Sequence, residues 1–124
     1  FKQANQANTI ICPVIDARRM EVYTAMYDYN LTQISPAEAK IIDENSFADI
    51  DRPIHFCGNG AEKCSNVIKN PNAKFTTLVK PIANMMVDLA EEAYRNNQFE
   101  DVAYYEPFYL KEFVPAPSHI KGLK

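Results

Sequence analysis

A dense group of charged residues lies between two apolar runs near the start of the chain. Its members are Asp16, Arg18, Arg19 and Glu21. Arginine forks suit carboxylate and phosphate partners, which points to a contact with a partner or a nucleotide. The alternative is a self-satisfied turn in which the arginines neutralise two carboxylates that face each other across a strand pair. Because exposed ion pairs contribute only about 0–1 kcal/mol each, stability alone explains this density poorly, and we predict a partner-binding site.

A glycine-rich turn, CGNGAEK, is the second candidate. Gly58 and Gly60 would let the backbone approach a ligand closely, and a helix that begins there would favour anions or the polar edge of a nucleotide. The stretch lacks both G-x-x-x-x-G-K-[ST] and G-x-G-x-x-G. Gly58, Asn59 and Gly60 are therefore nucleotide-binding candidates on weak evidence, and the alternative is a turn that is merely tight.

The other residues capable of chemistry predict no catalytic, cofactor or metal site. His55 alternates with apolar residues on a predicted core strand, and Cys57 and Cys64 lack the second close pair of a zinc spacing. No serine or cysteine has a recognisable nucleophile setting. The three cysteines are predicted to be reduced, buried thiols of a cytoplasmic protein.

Length and charge set the class of protein. The 124 residues suffice for one domain. Sixteen acidic against 13 basic residues give a net charge of −3, which does not predict a broad nucleic-acid or anionic-membrane surface. No apolar run approaches the ~18 residues of a membrane span.

Hydrophobic periodicity predicts the elements that would position these residues. Strands are predicted over 10–15, 21–29, 38–42, 54–57 and 74–79, with a bulge or an unpaired edge at Pro13. Helices are predicted over 44–50, capped by Asp43 or Asn45, over 61–69, and from Pro81 to the Asn-Asn pair at 96–97. The last helix carries an apolar stripe that we expect in the core: Ile82, Met85, Met86, Leu89, Ala90 and Ala93. The aromatic tail is expected to pack along the domain and seal an apolar face: Tyr104, Tyr105, Phe108 and Tyr109.

The predicted order, β-β-β-α-β-α-β-α, is that of a ribonuclease H-like α/β fold with a mixed sheet. We assign residues 1–9 to a linker or the remnant of a missing lobe, 10–113 to the ribonuclease H-like lobe and 114–124 to a flexible tail.

Three motifs resemble the TsaB family, also called YeaZ. The family hairpin D-A-R-R-G-E-V-Y is matched over residues 16–23, with Met20 for the glycine, and the G-x-G-A turn is matched over 58–61. The late E-P-x-Y-L-R segment is matched over 106–111, with Lys111 for the arginine. If the glycine position needs a positive φ, Met20 would cost about 1–2 kcal/mol there.

The resemblance implies one lobe of the actin-like ATPase superfold and a non-catalytic role. It matches the second half of a TsaB-like protein, without the N-terminal lobe that makes the main contact to the catalytic subunit TsaD. Members of the family support threonylcarbamoyl transfer to tRNA adenosine by TsaD, with the ATPase TsaE docking on the pair. The older M22 glycoprotease label of the superfamily implies a metallopeptidase, but the metal-binding histidines belong to the other lobe of the catalytic relative.

Two enzyme alternatives remain open from the residues. A ribonuclease H-like nuclease would need carboxylates converging on a metal, with Asp16, Glu62 and Asp88 as candidates. A nucleotide-binding, kinase-like lobe would depend on the GNG turn alone. A missing lobe would also leave apolar surface exposed, with Ile11, Ile15, Tyr105 and Phe108 as candidates. We therefore expect either self-association through this surface or its coverage by the N-terminal residues 1–8.

Overall fold

Five strands form one mixed sheet in a computed structural model that describes residues 8–77 and 81–111. The sheet order is β3-β2-β1-β4-β5, with β1–β2 and β2–β3 antiparallel and β1–β4 and β4–β5 parallel. The strands are β1 Ile10–Asp16, β2 Glu21–Tyr27, β3 Gln33–Ile41, β4 Ile54–Cys57 and β5 Ala73–Thr76. The helices are α1 Ala61–Ser65 and α2 Val87–Arg95, the latter preceded by a 3-10 turn, Ala83–Met86. The mixed α/β class is confirmed.

The core lies on one face of the sheet, where α1 and the 42–50 loop cover the strands. It is built from apolar side chains that alternate along β1 and β4 and from residues on the covering segments: Ile10, Cys12, Val14, Val22, Ile42, Phe47, Ile54, Phe56, Ala61, Cys64 and Ile68. All three cysteines are free and buried, and burial raises the pKa of the Cys12 thiol to about 12.

Pro13 lies in the central strand and not at an edge, so the predicted bulge or edge there is wrong. The register between β1 and β2 is the same on both sides of Pro13, and its Cα partner in β4 is Cys57. The hydroxyl of Thr24 donates to the Pro13 carbonyl at 3.0 Å, which supplies a partner inside the ladder. The register irregularity lies instead between β2 and β3, near Met26.

Other predicted boundaries also change. Residues 44–49 form consecutive turns and not a helix, because Phe47 has a positive φ of 63°. Asp43 still caps the segment, accepting from the Asn45 backbone N–H and the Ser46 hydroxyl. Strand β3 begins at Gln33, well before the predicted start, because an edge strand tolerates Pro36. Of the strand predicted over 74–79, residues 78 and 79 lie outside the described residues.

Helix α2 ends at the predicted Asn-Asn pair, but it does not contribute to the core. It contains no buried residue, and the side chain of Leu89 in its apolar stripe is 62% exposed. The aromatic residues at 104, 105, 108 and 109 are also exposed, so they do not seal an apolar face. Helical periodicity predicts which face is apolar, but it does not identify the surface that covers this face.

Candidate functional site

The turn of the β1–β2 hairpin spans residues 18–21. The Glu21 backbone N–H donates to the Arg18 carbonyl at 3.2 Å, and the Ala17 N–H donates to the Glu21 carbonyl at 3.1 Å. Positive φ angles fall on Arg18 (67°) and Arg19 (48°), whereas Met20 is outside that region. The cost expected for Met20 in place of glycine is therefore absent, and the unfavourable left-handed backbone is borne by the two arginines.

Lys63, on α1, holds this turn from the side of the glycine-rich segment. Its Nζ donates to Asp16 Oδ1 at 2.5 Å, to the Arg19 carbonyl at 2.9 Å and to the Glu21 carbonyl at 2.7 Å. These three bonds use every donor of the ammonium group. Lys63 was not predicted as a site residue from the sequence. Its position just after the GNG turn was the only local signal for this role.

The two carboxylates of the hairpin are neutralised by lysines and not by the arginines. Asp16 pairs in register with Val22, so it does not face Glu21 across the strands. Lys63 and then the Arg18 backbone N–H donate to Asp16, and together they lower the pKa of its carboxyl group. The carboxylate of Glu21 accepts from Lys111 Nζ at 2.7 and 3.0 Å.

Arg18 and Arg19 are therefore available for other contacts. Both side chains are exposed, and within residues 8–77 and 81–111 neither guanidinium makes a hydrogen bond or an ion pair. Apolar surface adjoins them, since Met20 is 39% exposed and Ile41 is 72% exposed. A depression of about 420 Å³ lies here, lined by Arg19, Met20, Glu21, Ile41 and Lys111. We call Arg18, Arg19, Met20 and Ile41 the hairpin tip.

Close packing against β1 accounts for both glycines of the GNG turn. Gly58 has a φ of 113°, and a Cβ on it would lie 2.4 Å from the Val14 carbonyl oxygen. The Gly60 N–H donates to that same oxygen at 3.1 Å. Asn59 Oδ1 accepts from the Asp16 backbone N–H at 3.0 Å, so this side chain caps the end of β1. The nucleotide-binding role predicted for Gly58, Asn59 and Gly60 stays a prediction, because this packing needs no ligand.

The three carboxylates considered for a nuclease are not equivalent. Asp16 accepts a hydrogen bond from the ammonium group of Lys63. Asp16 and Glu62 both line a depression of about 370 Å³, which Asn59 and Asn66 also line. Asp88 lies on α2, which buries no residue. Among the residues that the structure describes, no three His, Cys, Asp or Glu side chains are grouped to hold a metal ion.

His55 is a half-buried strand residue, in keeping with its interpretation as a core histidine. Its Nε2 lies 2.6 Å from the Thr76 hydroxyl oxygen on the neighbouring strand β5. Burial, with a smaller contribution from the nearby Lys74, lowers the pKa of the imidazole.

Within residues 8–77 and 81–111, every helix is too short or too polar to span a lipid bilayer.

Comparison with known proteins supports the fold inferred from the motifs. No protein-family model and no curated protein sequence matches the chain. It is similar to a crystal structure of an uncharacterized protein, itself described as similar to peptidase YeaZ from Pseudomonas aeruginosa, with a TM-score of 0.66 and 19% identity. The match covers 86% of this chain and 51% of that one, so this chain spans about half the length of its structural neighbour. The five-stranded mixed sheet is thus a YeaZ-like fold, compatible with the ribonuclease H-like and actin-like architecture.

Proposed function

We propose that this chain acts as the C-terminal lobe of a TsaB-like partner subunit and itself carries no catalytic residue. In this role it supports threonylcarbamoyl transfer to tRNA adenosine by a TsaD-like catalytic subunit, with a TsaE-like ATPase docking on the pair. The observation that carries the proposal is the YeaZ-like fold over half of a longer neighbour. The D-A-R-R hairpin motif supports it independently.

The hairpin arginines are the residues proposed to contact the assembly. Lys63 and Lys111 already neutralise Asp16 and Glu21, so Arg18 and Arg19 are not needed for charge balance within the turn. The bonds of Lys63 to the Arg19 and Glu21 carbonyls fix the backbone that carries them. Guanidinium groups held in this way are suited to carboxylates on a partner protein.

A reconstituted threonylcarbamoyl-transfer assay tests this role. Threonylcarbamoyl incorporation into tRNA is measured with TsaD-like and TsaE-like proteins, with and without this chain. We expect the chain to stimulate incorporation, and we expect Arg18→Glu to weaken both complex formation and stimulation while leaving the melting temperature nearly unchanged. Lys69→Glu is the matched control, because it makes the same charge change at an exposed residue far from the hairpin in sequence. Full stimulation by the Arg18→Glu protein would contradict the arginine contact, and incorporation that is indifferent to the chain would contradict the proposed function.

The nuclease and kinase-like alternatives predict activity of the isolated chain, whereas the proposed function predicts none. A metal-titrated nuclease assay and an ATP-turnover assay should both give background rates. ATP turnover that is lost on changing Gly58 or Gly60 would instead favour the kinase-like lobe.

A further inference from the structure

The hairpin tip combines positive charge with apolar surface. Together with its two lysine partners, the hairpin carries four cationic and two anionic side chains, because Lys63 and Lys111 offset Asp16 and Glu21. The excess charge is on the exposed guanidinium groups of Arg18 and Arg19, beside the exposed side chains of Met20 and Ile41. A ligand for this surface needs carboxylates and apolar groups close together.

The chain itself contains a segment with this chemistry at residues 99–106, which we call the acidic arm. Its sequence, FEDVAYYE, places three carboxylates among apolar and aromatic side chains, and Val102 is 95% exposed. Asp101 organises it, because Oδ1 accepts from the Ala103 N–H at 2.9 Å and its carbonyl accepts from the N–H groups of Tyr104 and Tyr105 at 3.0 and 2.8 Å. The arm is a defined turn that presents carboxylates and apolar side chains together.

We propose that the hairpin tip of one copy of this chain binds the acidic arm of a second copy. The exposed apolar residues exclude a purely electrostatic partner, because a nucleic-acid backbone would leave Met20, Ile41 and Val102 uncovered. A second copy would neutralise the charge and cover the apolar surface of both the hairpin tip and the acidic arm. The contact is an isologous pair, in which each tip receives the arm of the other chain.

The geometry of a single chain is compatible with this symmetry. The bond between Lys111 and Glu21 places the chain that follows the acidic arm beside its own hairpin. Donor and acceptor surfaces therefore belong to one region of the molecule, and a two-fold axis through that region would form both contacts together. The exposed stripe of α2 lies on the same C-terminal segment and would add apolar area to the interface.

Sedimentation velocity over a range of concentrations tests the contact with the whole chain. We expect a concentration-dependent dimer that weakens with added salt. Arg18→Glu with Arg19→Glu should raise Kd about tenfold or more, and Glu100→Arg with Glu106→Arg, which leaves the Asp101 bonds of the arm in place, should do the same. Lys69→Glu and Asp51→Arg are controls for the two kinds of charge change and should leave Kd close to that of the unchanged protein.

Mixing the two double variants makes the test specific. Each alone repels its own copies, but in the mixture an acidic tip meets a basic arm and a basic tip meets an acidic arm. Recovery of a heterodimer supports the proposal, and circular dichroism of each variant establishes that it is folded. A monomer at all concentrations, a Kd indifferent to the tip and arm charges, or no recovery on mixing overturns it.

This inference does not depend on the proposed function. Glu100→Arg with Glu106→Arg should weaken self-association by the same factor yet leave stimulation of threonylcarbamoyl transfer intact. Binding of tRNA by the hairpin tip, with no self-association, would overturn the contact between copies.

Discussion

The lysine and arginine side chains at the hairpin differ in their contacts. A lysine ammonium group has three hydrogen-bond donors, and Lys63 donates all three, to one carboxylate and two carbonyls of the turn. Arg18 and Arg19 contribute the left-handed backbone and leave their side chains exposed. Left-handed non-glycine residues persist where surrounding contacts hold them and often mark functional sites. The lysine thus acts as the structural cation, whereas neither guanidinium makes a hydrogen bond or an ion pair within residues 8–77 and 81–111.

Removing the Lys63 ammonium should loosen the turn. Lys63→Met keeps the aliphatic length but leaves the Arg19 carbonyl without its Lys63 donor and the Glu21 carbonyl with only the Ala17 N–H, so we expect the free energy of unfolding to fall by about 1–3 kcal/mol. Chemical denaturation measures this change. Lys69→Met is the matched control, because Lys69 is exposed and its ammonium makes no hydrogen bond or ion pair in the described part of the chain. Equal stability of the two variants would show that Lys63 does not hold the hairpin.

The Asp16–Lys63 pair should also contribute to the acid side of the stability profile. The pKa of Asp16 is lowered in the folded protein, so its stabilising contribution is present above the ordinary value of 3.8 and is lost as the pH falls through the folded pKa. Thermal melting from neutral pH down to about pH 3 should therefore show a smaller acid-side loss in Lys63→Met than in the unchanged protein. An identical pH dependence in both proteins would contradict this assignment.

At the scale of elements, the GNG turn is fixed by its contact with β1. Gly58→Ala places a Cβ 2.4 Å from a backbone oxygen at a φ of 113°, so we expect a loss of at least about 2 kcal/mol. Gly60→Ala has no φ strain and meets its neighbours at 3.2 Å or more, so about 1 kcal/mol is expected. Denaturation midpoints of the two variants provide the comparison. A larger loss for Gly60→Ala would contradict the packing described for the turn.

Local sequence signals predicted some elements well. Strand β4 has the predicted ends, and β1 differs by one residue, because runs of alternating or continuous apolar residues define buried strands. The 44–50 segment has a helical cap signal at Asp43, but the left-handed Phe47 interrupts it. Because Phe47 buries its ring against Phe56, with 5.0 Å between the ring centroids, a tertiary contact accompanies this departure from helix propensity.

The sequence predicted the charged residues of the hairpin but not the two lysines that bind its carboxylates. Its arginines and carboxylates stand within six consecutive residues, which drew attention to them. The cations that bind the carboxylates come from much later in the chain, Lys63 being 47 residues from Asp16 and Lys111 being 90 from Glu21. Pairing over such separations depends on the fold, and a local pattern cannot supply it.

At the scale of the whole molecule, the chain divides into a packed sheet region and a C-terminal segment with little burial. The core draws only on residues 10–75 in the described part of the chain, whereas none of residues 81–111 is buried. The apolar stripe on α2 and the aromatic groups beyond it are exposed, and large apolar patches of this kind rarely stay uncovered on a monomer. The expected exposure of Ile15, Tyr105 and Phe108 is confirmed, but Ile11 is buried within the sheet.

Hydrogen exchange should resolve these two regions. A helix the length of α2 is marginal in water without tertiary contacts, so its amides should exchange nearly as fast as those of an unfolded peptide in dilute samples. Amides of β1 and β4 should be strongly protected, because they lie in the centre of the sheet over the core. Raising the protein concentration should slow exchange in α2 and the acidic arm, and the mixture of charge-reversed variants should recover this effect while each variant alone lacks it. Strong, concentration-independent protection of α2 would show that the segment is already packed within one chain, and the contact between copies would then lose its physical basis.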